Sequence, residues 1–205
     1  MSEWTLSLTV DGPGRTQALA ERLGARLRAG DLLVLTGELG AGKTTFTQGL
    51  GRGLGVRPGI ISPTFVLVRR HPNVPDGPRP GGPDLVHVDA YRLDSAGEVD
   101  DIDLEDTVDS AVTVVEWGAG KVEHLADSRL EIVLERAVGA APAGGAAGEH
   151  GQEDAAADGT EDGTEDETED EDAEPRRITL TGIGPRWAGG PPPLEPPGES
   201  SARGH

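Results

Sequence analysis

Apolar and polar side chains alternate from Trp4 to Val10, which predicts a half-buried strand near a sheet edge. The run Asp11-Gly-Pro-Gly14 reads as a turn. From residue 16 to 28 the period lengthens. Ala18, Leu19, Leu23 and Leu27 share one side and Glu21, Arg22, Arg26 and Arg28 the other, so the pattern predicts an amphipathic helix capped by Thr16 and ended by Gly30. Residues 31–36 form a buried strand, and residues 44–54 a second helix that Pro58 keeps from continuing. Between them lies a loop rich in glycine, beside which the first helix is expected to pack on the sheet.

The later segments repeat this mixture. Residues 62–68 are expected to be a strand headed by Pro63, and residues 71–83, dense in Pro and Gly, a surface loop. Residues 85–91 resume a strand with Asp89 at its C-terminal end, where His87 and Tyr91 read as packing residues. Residues 95–106 carry acidic side chains among Val99, Ile102 and Leu104, with no calcium-loop spacing, and read as a solvated acidic helix face. Residues 111–115 are a fully apolar strand ending in Glu116-Trp117. Residues 128–135 and 176–181 alternate again and look like the two arms of an antiparallel hairpin.

Charge changes the picture in one place. Fourteen of the 37 acidic residues, and none of the 18 Lys and Arg residues, lie between 137 and 175. The strongly acidic balance therefore belongs mainly to that segment. With its Ala/Gly-rich start and Gly-Thr-Glu-Asp-like units, it buries too little apolar surface to offset ordering entropy. The expected organisation is one domain of residues 1–138 plus 176–188, a disordered acidic insertion over 139–175, and a flexible Pro/Gly-rich tail over 189–205. There is no Cys, hence no disulfide framework, thiolate zinc site or cysteine nucleophile. No signal peptide and no membrane span are legible, and a cytoplasmic protein is the default expectation.

The loop carries the chemistry. Residues 37–45 read Gly-Glu-Leu-Gly-Ala-Gly-Lys-Thr-Thr and satisfy G-x-x-x-x-G-K-[ST] between a strand and a helix. A helix start exposes unpaired N–H groups and partial positive charge, so the amides of residues 39–44 are placed to converge on phosphate oxygens, and Glu38, Leu39, Gly40, Ala41, Gly42, Lys43, Thr44 and Thr45 are the candidate nucleotide-binding residues. Lys43 supplies a mobile charge for the β- and γ-phosphates, and the Thr44 hydroxyl a ligand for Mg²⁺. In open α/β sheets ligands sit outside the carboxyl ends of strands, which brings Asp89 toward the phosphates unless it pairs with Arg92. Glu116, directly after a buried strand, stands where a phosphate-loop ATPase needs a carboxylate for Mg²⁺ or for the attacking water. Thr64 either approaches the γ-phosphate or merely favours extended backbone, and Trp117 serves a core, lid or nucleotide contact. The fold class is α/β: a P-loop NTPase three-layer fold with a mixed, mostly parallel central sheet and a C-terminal antiparallel hairpin.

Other features decide what is done with the nucleotide. The sole Asn, Asn73, lies in the Pro/Gly loop, so an Asn-Lys-x-Asp guanine element is excluded. No transport-ATPase signature of the L-S-G-G-Q kind is present. A partner-dependent ATPase, a small-molecule kinase and an assembly module governed by ATP occupancy stay open on the residues alone. The segments G-E-L-G-A-G-K-T-T-F (37–46), S-P-T-F (62–65), H-V-D-A-Y-R-L (87–93) and V-E-W (115–117) together resemble the TsaE, or YjeE-like, family. The resemblance covers about residues 4–136 and the strand at 176–183.

That resemblance implies an ATPase of slow intrinsic turnover that binds ATP and Mg²⁺. It acts with TsaD and TsaB to form threonylcarbamoyladenosine at position 37 of tRNAs reading codons that begin with A. It implies that Lys43 and the loop amides hold the phosphates, Thr44 and Glu116 hold Mg²⁺, and Thr64 is a switch residue. Asp89 would serve the γ-phosphate region and Trp117 would lie near the nucleotide. Contact with tRNA is expected only through the complex, because the acidic segment repels phosphate and no basic patch with interleaved aromatics is legible.

Overall fold

A computed structural model describes residues 3–93, 95–100, 102, 104–136 and 174–194. Strand β1 (Glu3–Asp11) leads into helix α1 (Gly12–Gly24), strand β2 (Leu32–Thr36) and helix α2 (Lys43–Leu54). Then follow β3 (Val68–His71), β4 (Asp84–Asp89), the short helices α3 (Ala96–Asp100) and α4 (Glu105–Val108), β5 (Ala111–Glu116), β6 (Arg129–Arg136) and β7 (Pro175–Ile183). All seven strands join one sheet in the order β1-β7-β6-β2-β5-β4-β3. The four central strands, β6-β2-β5-β4, are parallel, and antiparallel pairings finish both edges.

The sheet's burial follows from its layers. Every residue of β5 is buried, as required of a central strand covered on both faces. One face carries a core of α1 and α2 side chains, with Leu23, Phe46 and Leu50 packed against Leu33, Leu35 and Ile132. The other face packs Val99 of α3, Leu104 just before α4 and Val108 of α4 against Val34, Val88 and Val115. β1 alternates exposed and half-buried residues at the edge, as its period requires, and β6 and β7 pair antiparallel from Arg129↔Ile183 to Arg136↔Arg176. After β7, Trp4 Nε1 donates 2.7 Å to the carbonyl of Trp187, and Leu194 is buried with Arg22 donating to its carbonyl. Most of the acidic stretch 139–175, and the tail beyond Leu194, fall outside the described residues.

Three expected elements differ in position. Helix α1 begins at Gly12, because Pro13 fits the first helical turn, where its missing N–H is no loss. Thr16 is therefore not the cap; it lies inside the helix and donates 3.0 Å to the Gly12 carbonyl. Residues 62–67 are not a strand. Val66 N and Leu67 N both donate to the Pro63 carbonyl, Leu67 sits at φ 63°, and β3 begins only at Val68. The acidic stretch forms two short helices instead of one continuous face. Among the described residues of this stretch, Val99 and Leu104 are buried.

α1 and α2 touch through Gly49, where an added Cβ would meet the Gln17 carbonyl oxygen and lie 2.7 Å from Ala20 Cβ. Backbone on a packed helix cannot withdraw easily. Gly49→Ala is expected to destabilise the fold by about 1–3 kcal/mol, read as a lower denaturant midpoint at unchanged slope. Conserved slope separates a strained seam from a collapsed native state.

His71, at the end of β3, is buried, and its Nε2 has no hydrogen-bond partner among the described residues. Burial first, then the neighbouring His87 and Arg69, push its pKa below the ordinary 6.5. The folded state therefore keeps His71 neutral where the unfolded chain would protonate. Its contribution is fully present above the unfolded value and is lost as pH falls through the lowered one. The fall in Tm from about pH 7.5 to 5.5 is expected to be shallower in His71→Gln than in the parent chain.

Candidate functional site

The site forms where β2, β4 and β5 end together. Parallel pairing aligns Leu35 with Glu116 and Asp89 with Glu116, so the loop after β2 and two strand-end carboxylates share one edge. β2 passes through residues 37–42 into α2, whose N-cap Gly42 takes φ 100°. That left-handed conformation turns the chain directly into the helix and would strain a side chain. The first amides of a 12-residue helix then point into the loop.

Lys43 folds back over this loop. Its Nζ donates to the carbonyls of Gly37, at 2.7 Å, and Glu38, at 2.9 Å, and lies 3.9 Å from the centre of the Trp117 ring. Burial lowers its pKa, while the nearby Glu116 and Asp89 pull the other way. The ammonium thus occupies a cradle of carbonyl oxygens, from which an anion entering the loop can draw it.

Glu116, 3% exposed at the end of β5, accepts at Oε1 from the Thr44 hydroxyl, at 3.1 Å, and from His87 Nε2, at 2.8 Å. A hydroxyl at the start of the loop helix and a buried carboxylate beside it are hard oxygen donors suited to Mg²⁺. Among the described residues no group of three or more His, Cys, Asp or Glu side chains could hold a metal. A cation here would complete its shell with phosphate oxygens and water.

Asp89, 3% exposed at the end of β4, does not pair with Arg92. Its Oδ2 accepts from Thr64, at 2.6 Å, and Ser62, at 3.1 Å, and its Oδ1 from the Tyr91 amide, at 3.0 Å. Asp89 therefore ties the segment of Ser62 and Thr64 to the sheet edge. Arg92 instead lies 5.0 Å from the centre of the Phe65 ring.

A cavity of about 570 Å³ gathers these groups: Leu39, Gly40, Gly42, Lys43, Thr44, Thr45, Thr64, Asp89, Glu116 and Trp117 all line it. Glu38 and Ala41 line an adjoining groove with Leu134 and Arg136. Three further residues enter the arrangement: Ser62, given no role by the sequence, and His87 and Tyr91, which the sequence assigned to packing. Ser62 joins Thr64 on Asp89, Tyr91 meets Trp117 edge to face at 5.3 Å, and His87 holds Glu116. For His87 a signal exists: strand alternation places it on the same side of β4 as Asp89, two residues on.

A strand, glycine loop and helix in a parallel sheet, with Lys-Thr at the helix start and a carboxylate ending the neighbouring strand, define a P-loop nucleotide-binding fold. The family model of the threonylcarbamoyl adenosine biosynthesis protein TsaE matches residues 10–140, and the chain belongs to that family. The tRNA threonylcarbamoyladenosine biosynthesis protein TsaE of Streptomyces coelicolor is 47% identical over 171 residues, covering 83% of this chain and 92% of the relative. The protein of that name from Bacillus subtilis is 40% identical over 126 residues, or 61% and 74% of the two chains. The crystal structure of Bacillus subtilis YdiB matches with a TM-score of 0.59 and 28% identity, covering 91% of each chain.

Proposed function

We propose that this member of the family binds ATP with Mg²⁺ and hydrolyses it slowly, in the service of TsaD and TsaB as they form threonylcarbamoyladenosine on tRNA. The convergence of Lys43, Thr44, Asp89 and Glu116 on one cavity carries the reading. The amides of Glu38 to Thr45 and Lys43 hold the phosphates, and Trp117 flanks the nucleotide. Thr44 and Glu116 would hold Mg²⁺, which would supply neutralisation of phosphate charge. Asp89, already accepting from Thr64, couples the γ-phosphate region to the segment at 62–67, so that Thr64 acts as the switch. The chain's catalysis is then positioning and charge placement, with a carboxylate orienting the attacking water.

Two observations support partner dependence. Among the described residues no arginine lines this cavity, and Arg136, whose guanidinium packs beside Gly40, lies in the adjoining groove, so a partner is left to supply a guanidinium at the γ-phosphate. Leu39, Phe65 and Tyr91, each more than half exposed, stand in or beside the cavity lining as an apolar surface for a partner. The ATPase unit comprises residues 1–138 and 176–188, with the following stretch to Leu194 packed on its core, the acidic segment inserted between the two parts and contact with tRNA made through the complex. No helix among the described residues is long and apolar enough to cross a membrane, in keeping with work in the cytoplasm.

The test is ATP turnover with Mg²⁺ by the chain alone, then with TsaD, TsaB and tRNA. Low turnover that rises with those partners supports the reading. Turnover indifferent to them but stimulated by a small hydroxyl compound would replace it with a small-molecule kinase.

A further inference from the structure

The proposed metal ligands leave one buried group unexplained. His87 is fully buried in β4, and its Nε2 lies 2.8 Å from Oε1 of Glu116. Its Nδ1 is buried with no hydrogen-bond partner among the described residues. The contact to Glu116 is thus the hydrogen bond that orients the ring, and it requires the proton on Nε2, since a carboxylate oxygen only accepts. Oε1 of Glu116 also accepts from Thr44, so two donors from two elements, β4 and α2, fix one carboxylate oxygen.

A carboxylate that is 3% exposed has few sources of stabilisation. Desolvation makes it dependent on the donors that reach it, and rotation about its last bond would move its oxygens away from the Thr44 hydroxyl. The register explains why β4 supplies this donor. Asp89 pairs with Glu116 and His87 with Val114, so the His87 ring reaches Glu116 from one step lower in the sheet.

We propose that His87 is a positioning residue: its Nε2–H holds Glu116 toward the Thr44 hydroxyl and thereby sets the affinity of the site for Mg²⁺. This rests on the reading of Thr44 and Glu116 as the Mg²⁺ ligands. Hydrogen-bonded partners of metal ligands hold them in coordinating geometry, and their loss costs about 10- to 100-fold in metal affinity. His87 touches neither nucleotide nor cation; it acts through Glu116.

The experiment measures ATP affinity by equilibrium dialysis across a Mg²⁺ titration, and again in EDTA, with Mn²⁺ binding followed by electron paramagnetic resonance. His87→Ala is expected to raise the Mg²⁺ midpoint by about 10- to 100-fold. ATP affinity in EDTA stays as in the parent chain. His87→Gln, whose amide nitrogen reaches roughly where Nε2 does, restores most of the loss, whereas the shorter His87→Asn does not. An unchanged midpoint in His87→Ala, or equal midpoints in the Gln and Asn variants, overturns the proposal. Should His87→Ala fail to fold by circular dichroism, the Gln and Asn pair decides alone. If Glu116→Gln leaves the parent midpoint unmoved, the assignment of the metal ligands fails first, and the role of His87 with it.

Discussion

Lys43→Ala is expected to lower ATP hydrolysis by about 10²- to 10³-fold and to weaken ATP binding, because it removes a preplaced positive charge at the phosphate loop. The ammonium is buried, held by the Gly37 and Glu38 carbonyls, and stands at the mouth of α2. No other lysine can take its place. The chain's second lysine, Lys121, donates 2.8 Å to the Ala90 carbonyl. Lys43→Arg is not expected to rescue, since a planar guanidinium must fit between two carbonyls and the Trp117 ring, where a compact ammonium now sits. Single-turnover hydrolysis at saturating ATP checks the effect on the chemical step, and dialysis the effect on binding. Hydrolysis by Lys43→Ala equal to that of the parent chain would remove the loop from the mechanism.

Glu116→Gln is expected to reduce Mg²⁺-dependent hydrolysis by a similar factor, about 10²-fold or more. The amide keeps the carboxylate's shape but removes its charge. With its oxygen in the place of Oε1 it can still accept from both Thr44 and His87, whereas the flipped amide would set its NH₂ group against both donors. Metal-free ATP binding is expected to persist or tighten, because a negative charge has left the neighbourhood of the phosphates. A Mg²⁺ titration of hydrolysis and of ATP affinity, run on the same preparation, shows the two effects separately. Loss of metal-free binding as well would indicate a structural role for Glu116 in the loop.

The residues that make the phosphate loop were legible because their pattern is local. Gly37, Gly42, Lys43 and Thr44 lie within one turn of chain, and the buried strand before them and helix after them are adjacent in sequence. The apolar run of β5 likewise showed that Glu116 would end a central strand. Position was misread where tertiary contacts decide. β-branched residues at 62–68 favour extended backbone, yet Asp89 draws Ser62 and Thr64 into a turn that closes on Pro63. Gly12 and Pro13 look like breakers in isolation, but Pro13 is well placed in a first helical turn. His87 showed only as a polar residue in an apolar strand. Its tie to Glu116 joins residues 29 apart in sequence and depends on the parallel register of β4 with β5, which no single segment encodes.

The most direct test of the whole account is the amount of threonylcarbamoyladenosine formed on tRNA by TsaD and TsaB with their donor and ATP, when this chain is present or omitted. Product is expected to require the chain and to fall to the omitted level with Lys43→Ala. Full product formation by Lys43→Ala, or by the partners without the chain, would contradict it.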